Sequence, residues 1–510
     1  MPHSNITLTL GLAAIAAMTF ATQAQPAAAA KAPPPSAFDQ WADGIKKPTD
    51  WLTWGADFRL RDEYLPVSVS LSETAMYSEQ NVVRFRSRVW ASATPLTDLS
   101  LNARVSAEPR YFTQPAGYGP YSRPTAPAVN QDGLEWRYGI LDNLNLKWSN
   151  IGSQPLTLTV GRQDIMLGDF YDWWLVADGT PGDGSWTFFL DSARLTYDAK
   201  EIKTKFDLIY IYQSARPDEM IPTIGSARYS NPPKGFMGTD HSITEQNEQG
   251  IVVYASNKSI KNTTVDGYFI YKRDDQETLM SRGALVASGD NADIYTFGAK
   301  ITGTPAPHWQ YSVEGAYQFG EKEDRILGVM AKRDINAYGG KAKLTYLAKD
   351  KLNNQVFLAG EYLSGDDPNT PNKDEMFDLL WGRWPRWSEL YIYSYAAETS
   401  GKIAQMNNIL RFGPGWTCSP MKGMTFSAAY NAMFAPEETP SRSLVPVAPA
   451  AGARFSGSGN FRGHFLQTVL KHQFNKHWQA HLWAEFVWEG DYYNQRDTMM
   501  FIRPEIMFTF

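Results

Sequence analysis

The sequence predicts an all-β fold, a transmembrane antiparallel β-barrel of about 18 strands, with about 16 strands as the alternative. Segments of roughly ten residues in which apolar and polar side chains alternate recur from Trp54 to the C-terminus, as in strands that face lipid and lumen in turn. Seventeen Trp, 26 Tyr and 26 Phe residues could form the aromatic girdles at the two membrane interfaces.

The clearest strand of this kind runs from Trp478 to Glu489. Its even-numbered residues are apolar, with Trp at both ends, whereas Gln479, His481 and Glu485 lie on the opposite face. A half-buried strand of a soluble protein alternates too, but it seldom runs this far with Trp at both ends of its apolar face. This segment therefore indicates a membrane strand.

Composition excludes several other classes. After the N-terminus no run of about 20 apolar residues occurs, which argues against a helical membrane bundle. The formal net charge of −6 gives no support for nucleic-acid binding. Cys418 is the single cysteine, so we expect no internal disulfide. G-x-S-x-G, H-E-x-x-H and P-loop patterns are missing, and we expect no enzyme, cofactor or metal site.

Three regions are predicted along the chain. Residues 1–24 read as a secretion signal, with an apolar stretch from Leu8 to Phe20, and residues 25–50 as an Ala/Pro-rich periplasmic leader. Residues 51–510 form the barrel, placed in the outer membrane of a Gram-negative-type envelope after signal cleavage. Polar inserts expected to be long loops cover Thr113–Gly133, Asp169–Ser185, Pro217–Glu248, Ser364–Glu389 and Pro436–Gly463.

The last strand carries a sequence signal of its own, separate from the secretion signal at the N-terminus. Phe510 ends the chain, and Phe508 and Ile506 continue its face. This arrangement resembles the assembly signal of bacterial outer-membrane proteins. We therefore expect outer-membrane lipid and, through Phe510, the outer-membrane assembly machinery as partners, and the sequence leaves open a periplasmic scaffold on the short turns.

Arginines recur on the predicted lumen face of three successive strands. They are Arg59 and Arg61, then Arg84, Arg86 and Arg88, then Arg104. Guanidinium forks suit carboxylates, as a pore for uronate polymers would require. Acidic residues share this face, however, so Arg–carboxylate pairs could merely brace the wall. Three like charges on one strand repel unless acids or an anionic ligand lie between them. Replacing all three with Glu is expected to reverse or abolish anion preference while leaving barrel assembly intact.

Short motifs add a resemblance to a known family. Val160-Gly161-Arg162-Gln163-Asp164, together with Trp136-Arg137-Tyr138, the stretch from Trp186 to Tyr197 and Glu361–Asp366, resembles the alginate export porin family. The resemblance implies a monomeric 18-stranded barrel with an electropositive constriction that exports an anionic exopolysaccharide. It carries over Arg162 as a lumen residue, with Arg137 and Arg194 on flanking strands. Strict alternation would place Arg162 on the same apolar face of its strand as Val160. A β-bulge or the end of the strand must therefore turn the Arg162 side chain toward the lumen.

The leading hypothesis is an anion-selective channel that passes an anionic polysaccharide or oligosaccharide through an Arg-lined lumen. A general porin for small anionic or neutral solutes is the first alternative. A plugged adhesion or structural barrel with Trp-rich loops is the second, and an outer-membrane hydrolase the third. The sequence does not indicate which loop constricts the lumen.

Overall fold

The segments of alternating apolar and polar residues form strands that pair into one closed sheet. The computed structural model describes residues 36–68, 79–114, 134–135, 139–167, 189–215, 221, 246–281, 284–326, 329–382, 387–392, 394, 407–438, 455–456, 459–494 and 496–510. Within them eighteen long strands form a single antiparallel barrel, which confirms the predicted fold class. No helix in these ranges is long and apolar enough to cross a membrane.

The barrel strands are numbered in chain order. They are β1 Leu52–Pro66, β2 Glu79–Leu96, β3 Leu99–Ala107, β4 Ile140–Trp148, β5 Leu156–Gln163, β6 Leu190–Ala199, β7 Thr204–Gln213, β8 Asn247–Asn257, β9 Thr263–Asp275, β10 Asn291–Ala306, β11 Trp309–Ile326, β12 Val329–Leu347, β13 Gln355–Leu363, β14 Ile409–Cys418, β15 Met424–Phe434, β16 Phe461–Gln473, β17 Trp478–Glu489 and β18 Thr498–Thr509.

Shorter elements accompany the barrel strands. They are the strands Arg110–Gln114, Leu134–Glu135, Glu277–Ser281, Ala284–Ser288 and Lys373–Asp374 and the 3-10 turns Ile151–Ser153 and Lys200–Ile202. One helix, α1, covers Ala37–Lys46 within the predicted leader. Ser36 and Asp39 exchange side chain-to-backbone hydrogen bonds of 3.0 and 3.1 Å at its start, as in a capping box. The predicted signal lies outside the described residues.

The seam between β1 and β18 closes the barrel. Phe58 lies opposite Phe508 and Leu60 opposite Ile506, both in antiparallel register. The backbone N–H of Phe510 donates to the carbonyl of Ala56 at 2.8 Å. Each of the eighteen described barrel strands thereby has a paired neighbour on both sides, which is what a sheet needs in a lipid environment that offers no hydrogen bonds.

The period-two pattern sets what faces outward. On β1, Phe58 and Leu60 are exposed on the outer surface, whereas Arg59 and Arg61, which alternate with them along the strand, are buried. On β17, Trp478 and Trp488 are exposed and Glu485 is buried. Both strands therefore turn apolar side chains outward and charged side chains inward. Every second connection is a turn of a few residues, such as 97–98 and 307–308, so one rim carries short turns and the other carries the long loops. In barrels of this class the short turns are periplasmic.

One long connection, between β13 and β14, places several fully buried apolar side chains in the core. Its described residues 364–382, 387–392 and 394 are named the inner loop here. Phe377, Leu380, Trp381 and Tyr391 have no accessible surface. The Trp381 ring lies so close to the inward face of Gly250 on β8 that a Cβ there would come within 2.8 Å of it. The inner loop thus packs inside the barrel.

Candidate lumen-binding site

A polar cavity of about 770 Å³ lies against the inner wall formed by β2 to β7. Its lining includes five cationic side chains, those of Arg88, Arg104, Lys147, Arg194 and Lys205, but one carboxylate, that of Asp164. Most of the remaining lining is Ser, Thr, Asn and Gln, with the single aromatic side chain Trp90. Most of its residues lie in the halves of the strands nearest the short turns, whereas Gln163 and Asp164 lie at the far end of β5. We call this space the basic cavity.

Strand pairing assembles the polar wall of the basic cavity. Inward-facing residues of neighbouring strands lie opposite one another, so Ser92, Asn102 and Asn145 follow each other around the barrel. Ser92 donates to Asn102 at 2.8 Å, and Asn102 donates to Asn145 at 3.0 Å. Side chains locked in such a row form a rigid polar floor rather than a set of mobile groups.

The arginines of the basic cavity are all held by carboxylates. Arg88 donates to Asp57 at 2.7 Å and Arg194 to Asp207 at 2.8 Å. Arg104 bonds Asp164 through both terminal nitrogens, at 2.8 and 2.9 Å, and also donates to Asp142 at 2.8 Å. These ion pairs fix the guanidinium groups and cancel most of their charge at long range.

The two lysines differ from the arginines. Lys147 and Lys205 are exposed, and neither side chain has a hydrogen bond or ion pair with another residue in the part of the chain that the structure describes. An ammonium on a flexible stem can follow a passing anion, which a clamped guanidinium cannot. Within the described residues, Lys147 and Lys205 are therefore the two cations of the basic cavity that no ion pair holds, although Lys205 still interacts electrostatically with Asp207.

The other predicted arginines of β1 and β2 form a buried network further from the short turns. Arg59 contacts Glu108 at 2.6 Å, Arg61 contacts Glu505 at 2.5 Å, and Arg84 contacts Glu63 at 2.9 Å. Arg86 lies 3.4 Å from Asp57. Acids thus lie between the like charges, as wall bracing requires. None of these four arginines lines the basic cavity.

The Gly-Arg-Gln segment is clamped at the end of β5. Arg162 is 2% exposed, is paired with Asp191 at 2.9 and 3.0 Å, and has its guanidinium 3.7 Å from the Phe189 ring centroid. Gly161 has a φ of 121°, a conformation that disfavours any other residue. Gln163 lines the basic cavity, but Arg162 does not. Arg137 lies outside the described residues.

Sequence reasoning passed over three lining residues. Lys147 has the inward parity of Asn145, Lys205 that of Asp207, and Trp90 that of Arg88. The alternation rule alone would have placed all three in the lumen. The site residues predicted from the sequence were all arginines, so these three were not among them.

The inner loop spans the lumen from one wall to the other. On the side of β11 and β12, Gln318 exchanges two 2.8 Å hydrogen bonds with the backbone of Asp378, and Lys322 contacts Asp374 at 3.0 Å. Burial raises the pKa of Asp378, an effect that nearby Lys272 and Lys322 oppose. The loop is therefore tied to this wall by both hydrogen bonds and charge.

On the opposite side the inner loop reaches β16 to β18. Glu485 accepts hydrogen bonds from the Ser388 hydroxyl at 2.6 Å and from the Leu390 N–H at 2.9 Å. Arg503 contacts Glu389 at 3.0 Å. Trp387 packs edge-on to Phe465, with ring centroids 5.2 Å apart. Trp387 therefore belongs to the core of the inner loop.

A closed barrel with an apolar exterior, a charged interior and a folded-in loop defines the class of outer-membrane channels. A family model described as alginate export matches residues 236–501, a little over half of the chain. The chain belongs to the alginate export family.

Solved structures agree on the fold. OccAB1 of Acinetobacter baumannii shares 10% identity, with a TM-score of 0.51 over 90% of this chain and 96% of that one. OccK5 (OpdH) of Pseudomonas aeruginosa shares 11% identity, with a TM-score of 0.46 over 89% and 97%. No curated protein sequence matches this chain. At such identities the structural likeness to OccAB1 bears on the fold alone.

Proposed function

We propose that this protein is an outer-membrane channel that passes an anionic polysaccharide or oligosaccharide, and that the carboxylates of the polymer contact the basic cavity. The observation that carries the proposal is the pair of lysines, Lys147 and Lys205, which form no ion pair with any described residue and lie beside three clamped arginines and a row of neutral hydrogen-bonding groups. Membership of the alginate export family supports an anionic sugar polymer as the cargo.

The chemistry of the cavity suits passage rather than tight binding. Two mobile ammonium groups attract carboxylates without the bidentate grip of a free guanidinium, and the Asn and Thr side chains can exchange hydrogen bonds with sugar hydroxyls. A channel needs sites that attract its cargo and also release it. Nothing in this arrangement calls for a bond-breaking step, so we assign transport and not catalysis.

Planar-bilayer recording of the refolded protein tests the proposal. Anion-selective openings that added polyuronate blocks reversibly are the expected result. Openings that polyuronate leaves unblocked would instead indicate a porin for small solutes. The absence of openings would favour a plugged barrel, an alternative that the inner loop across the lumen makes worth testing.

A further inference from the structure

Among the described residues, Trp90 is the one aromatic side chain that borders the basic cavity, and its surroundings are unusual for an indole. It projects inward from β2, between the lumen residues Arg88 and Ser92, and it is partly exposed. An indole that only filled space in a protein would normally be enclosed by other side chains. This one borders a water-accessible cavity lined with charged and polar groups.

A glycine on the neighbouring strand supports the Trp90 ring. Gly55 of β1 lies directly opposite Trp90, and a Cβ at that position would come within 2.6 Å of the indole. The ring therefore packs against the backbone of Gly55. A side chain at position 55 would clash with the indole in this position. Support from the wall on one side leaves the rest of the indole to border the cavity.

The exposed part of the indole has no partner within the described residues. None of them accepts a hydrogen bond from its N–H, and no described ring or cation stacks on it. Arg104, which lies opposite Trp90 on β3, is instead directed to Asp142 and Asp164. Both the π surface and the N–H of Trp90 are thus available to a molecule in the cavity.

We propose that Trp90 is a stacking platform for the pyranose rings of the transported polymer, and that it distinguishes chains of sugar rings from small carboxylates. The axial C–H groups of a pyranose form an apolar face that packs on an aromatic ring, while the equatorial hydroxyls point to the side. Lys147 and the row of Ser92, Asn102 and Asn145 line the same cavity as Trp90, and they offer an ammonium for the carboxylate and polar groups for the hydroxyls of such a sugar. This proposal rests on the proposed function. It adds that Trp90 recognises the apolar face of a sugar ring in the cargo.

The platform contacts the ring and not its charge, so it acts on neutral sugars as well. A cavity of about 770 Å³ falls within the ~300–1,000 Å³ range typical of small-molecule sites, so a short oligosaccharide fits it. Single-channel blocking by two probes, an oligouronate and a neutral gluco-oligosaccharide of equal length, therefore separates stacking from charge. The measured quantity is the mean duration of each block.

In Trp90→Leu, blocks by both probes are expected to shorten about three- to tenfold, the range that an aromatic contact of this kind contributes. Trp90→Phe, which keeps a ring, should retain most of the block duration. Trp148→Leu is the matched control, because Trp148 lies on the outward face of β4 at the same rim. Gly55→Ala displaces the indole without removing it and should reproduce the shortening even if Trp90→Leu does not assemble.

Unchanged block durations in Trp90→Leu and Gly55→Ala would overturn the platform while leaving the proposed function intact. If neither probe blocks the unmodified channel, the platform and the proposed function both fail. A channel that the oligouronate blocks but the neutral oligosaccharide does not would also overturn the platform, because charge alone then explains the binding.

Discussion

The character of each cationic side chain depends on whether a carboxylate faces it. Arg84 is clamped by Glu63 and Glu108, and Arg86 and Arg88 share Asp57, so none of the three offers a free guanidinium. This changes the outcome expected when all three are replaced with Glu: acids would then face acids, and assembly should suffer before selectivity can be measured. The lysines of the basic cavity are better targets.

Exchanging the two cavity lysines should alter ion selectivity. In a Lys147→Glu, Lys205→Glu double variant, four units of charge change in a confined space, and the anion-to-cation permeability ratio should fall by about tenfold, the equivalent of ~1.4 kcal/mol. The reversal potential under a KCl gradient measures it. Lys258→Glu with Lys261→Glu, in the turn between β8 and β9, makes the same charge change away from the cavity. Equal effects from both doubles would contradict the assignment.

Removing a buried acid should weaken the barrel. Glu63 contacts both Arg61 and Arg84, so Glu63→Gln leaves two buried cations short of a partner and should lower the free energy of unfolding by about 3 kcal/mol. Urea unfolding in lipid vesicles measures this change. Glu321→Gln, which breaks an exposed pair with Lys332, should have little effect. Equal stability of the two variants would refute the bracing role.

At the scale of the element, the inner loop is held across the lumen by contacts at both of its ends. Its contacts with Glu485 include the Ser388 hydroxyl and the Glu389 and Leu390 N–H groups. Hydrogen bonds to a charged group contribute roughly 1.5–3 kcal/mol each. Loss of this one carboxylate should therefore free one end of the loop.

In Glu485→Ala we expect larger single-channel conductance, or at least a tenfold rise in the frequency of openings, because several kcal/mol of docking energy are lost. The control is Gln479→Ala, on the same inward face of β17 but near the short-turn rim. Current traces indistinguishable from those of the unmodified channel would show that docking at Glu485 does not limit conduction.

The local sequence pattern predicted the strands and their faces far better than it predicted which side chains would contact one another. Alternation on β1 and β17 fixes inward and outward faces because the side-chain period of a strand is two. Nothing local in the sequence pairs Arg61 with Glu505, which lie 444 positions apart and meet only when the seam closes. The inner loop was equally hidden, because its polar composition resembles that of loops that remain outside.

At the scale of the whole molecule, closure of the β1–β18 seam completes the fold. Phe510 lies there, with its ring centroid 5.2 Å from that of Trp54 and Lys46 Nζ 5.2 Å from its ring. Deleting Phe510 removes these contacts together with its hydrogen bond to Ala56. We expect impaired insertion, seen as loss of the heat-modifiable band from the outer membrane, whereas Phe474→Ala in a short turn should insert normally. Normal insertion of the truncated chain would rule out the C-terminal signal.

The barrel, the cavity and the family together point to one central claim, that an anionic sugar polymer passes the lumen by way of the basic cavity. Its most direct test is single-channel current through the refolded, unmodified protein, with polyuronate added to the side of the short turns. We expect anion-selective openings that polyuronate blocks reversibly. The block should weaken as the salt concentration rises, because salt screens the charges of the cavity. Anion-selective openings that polyuronate never blocks would contradict it.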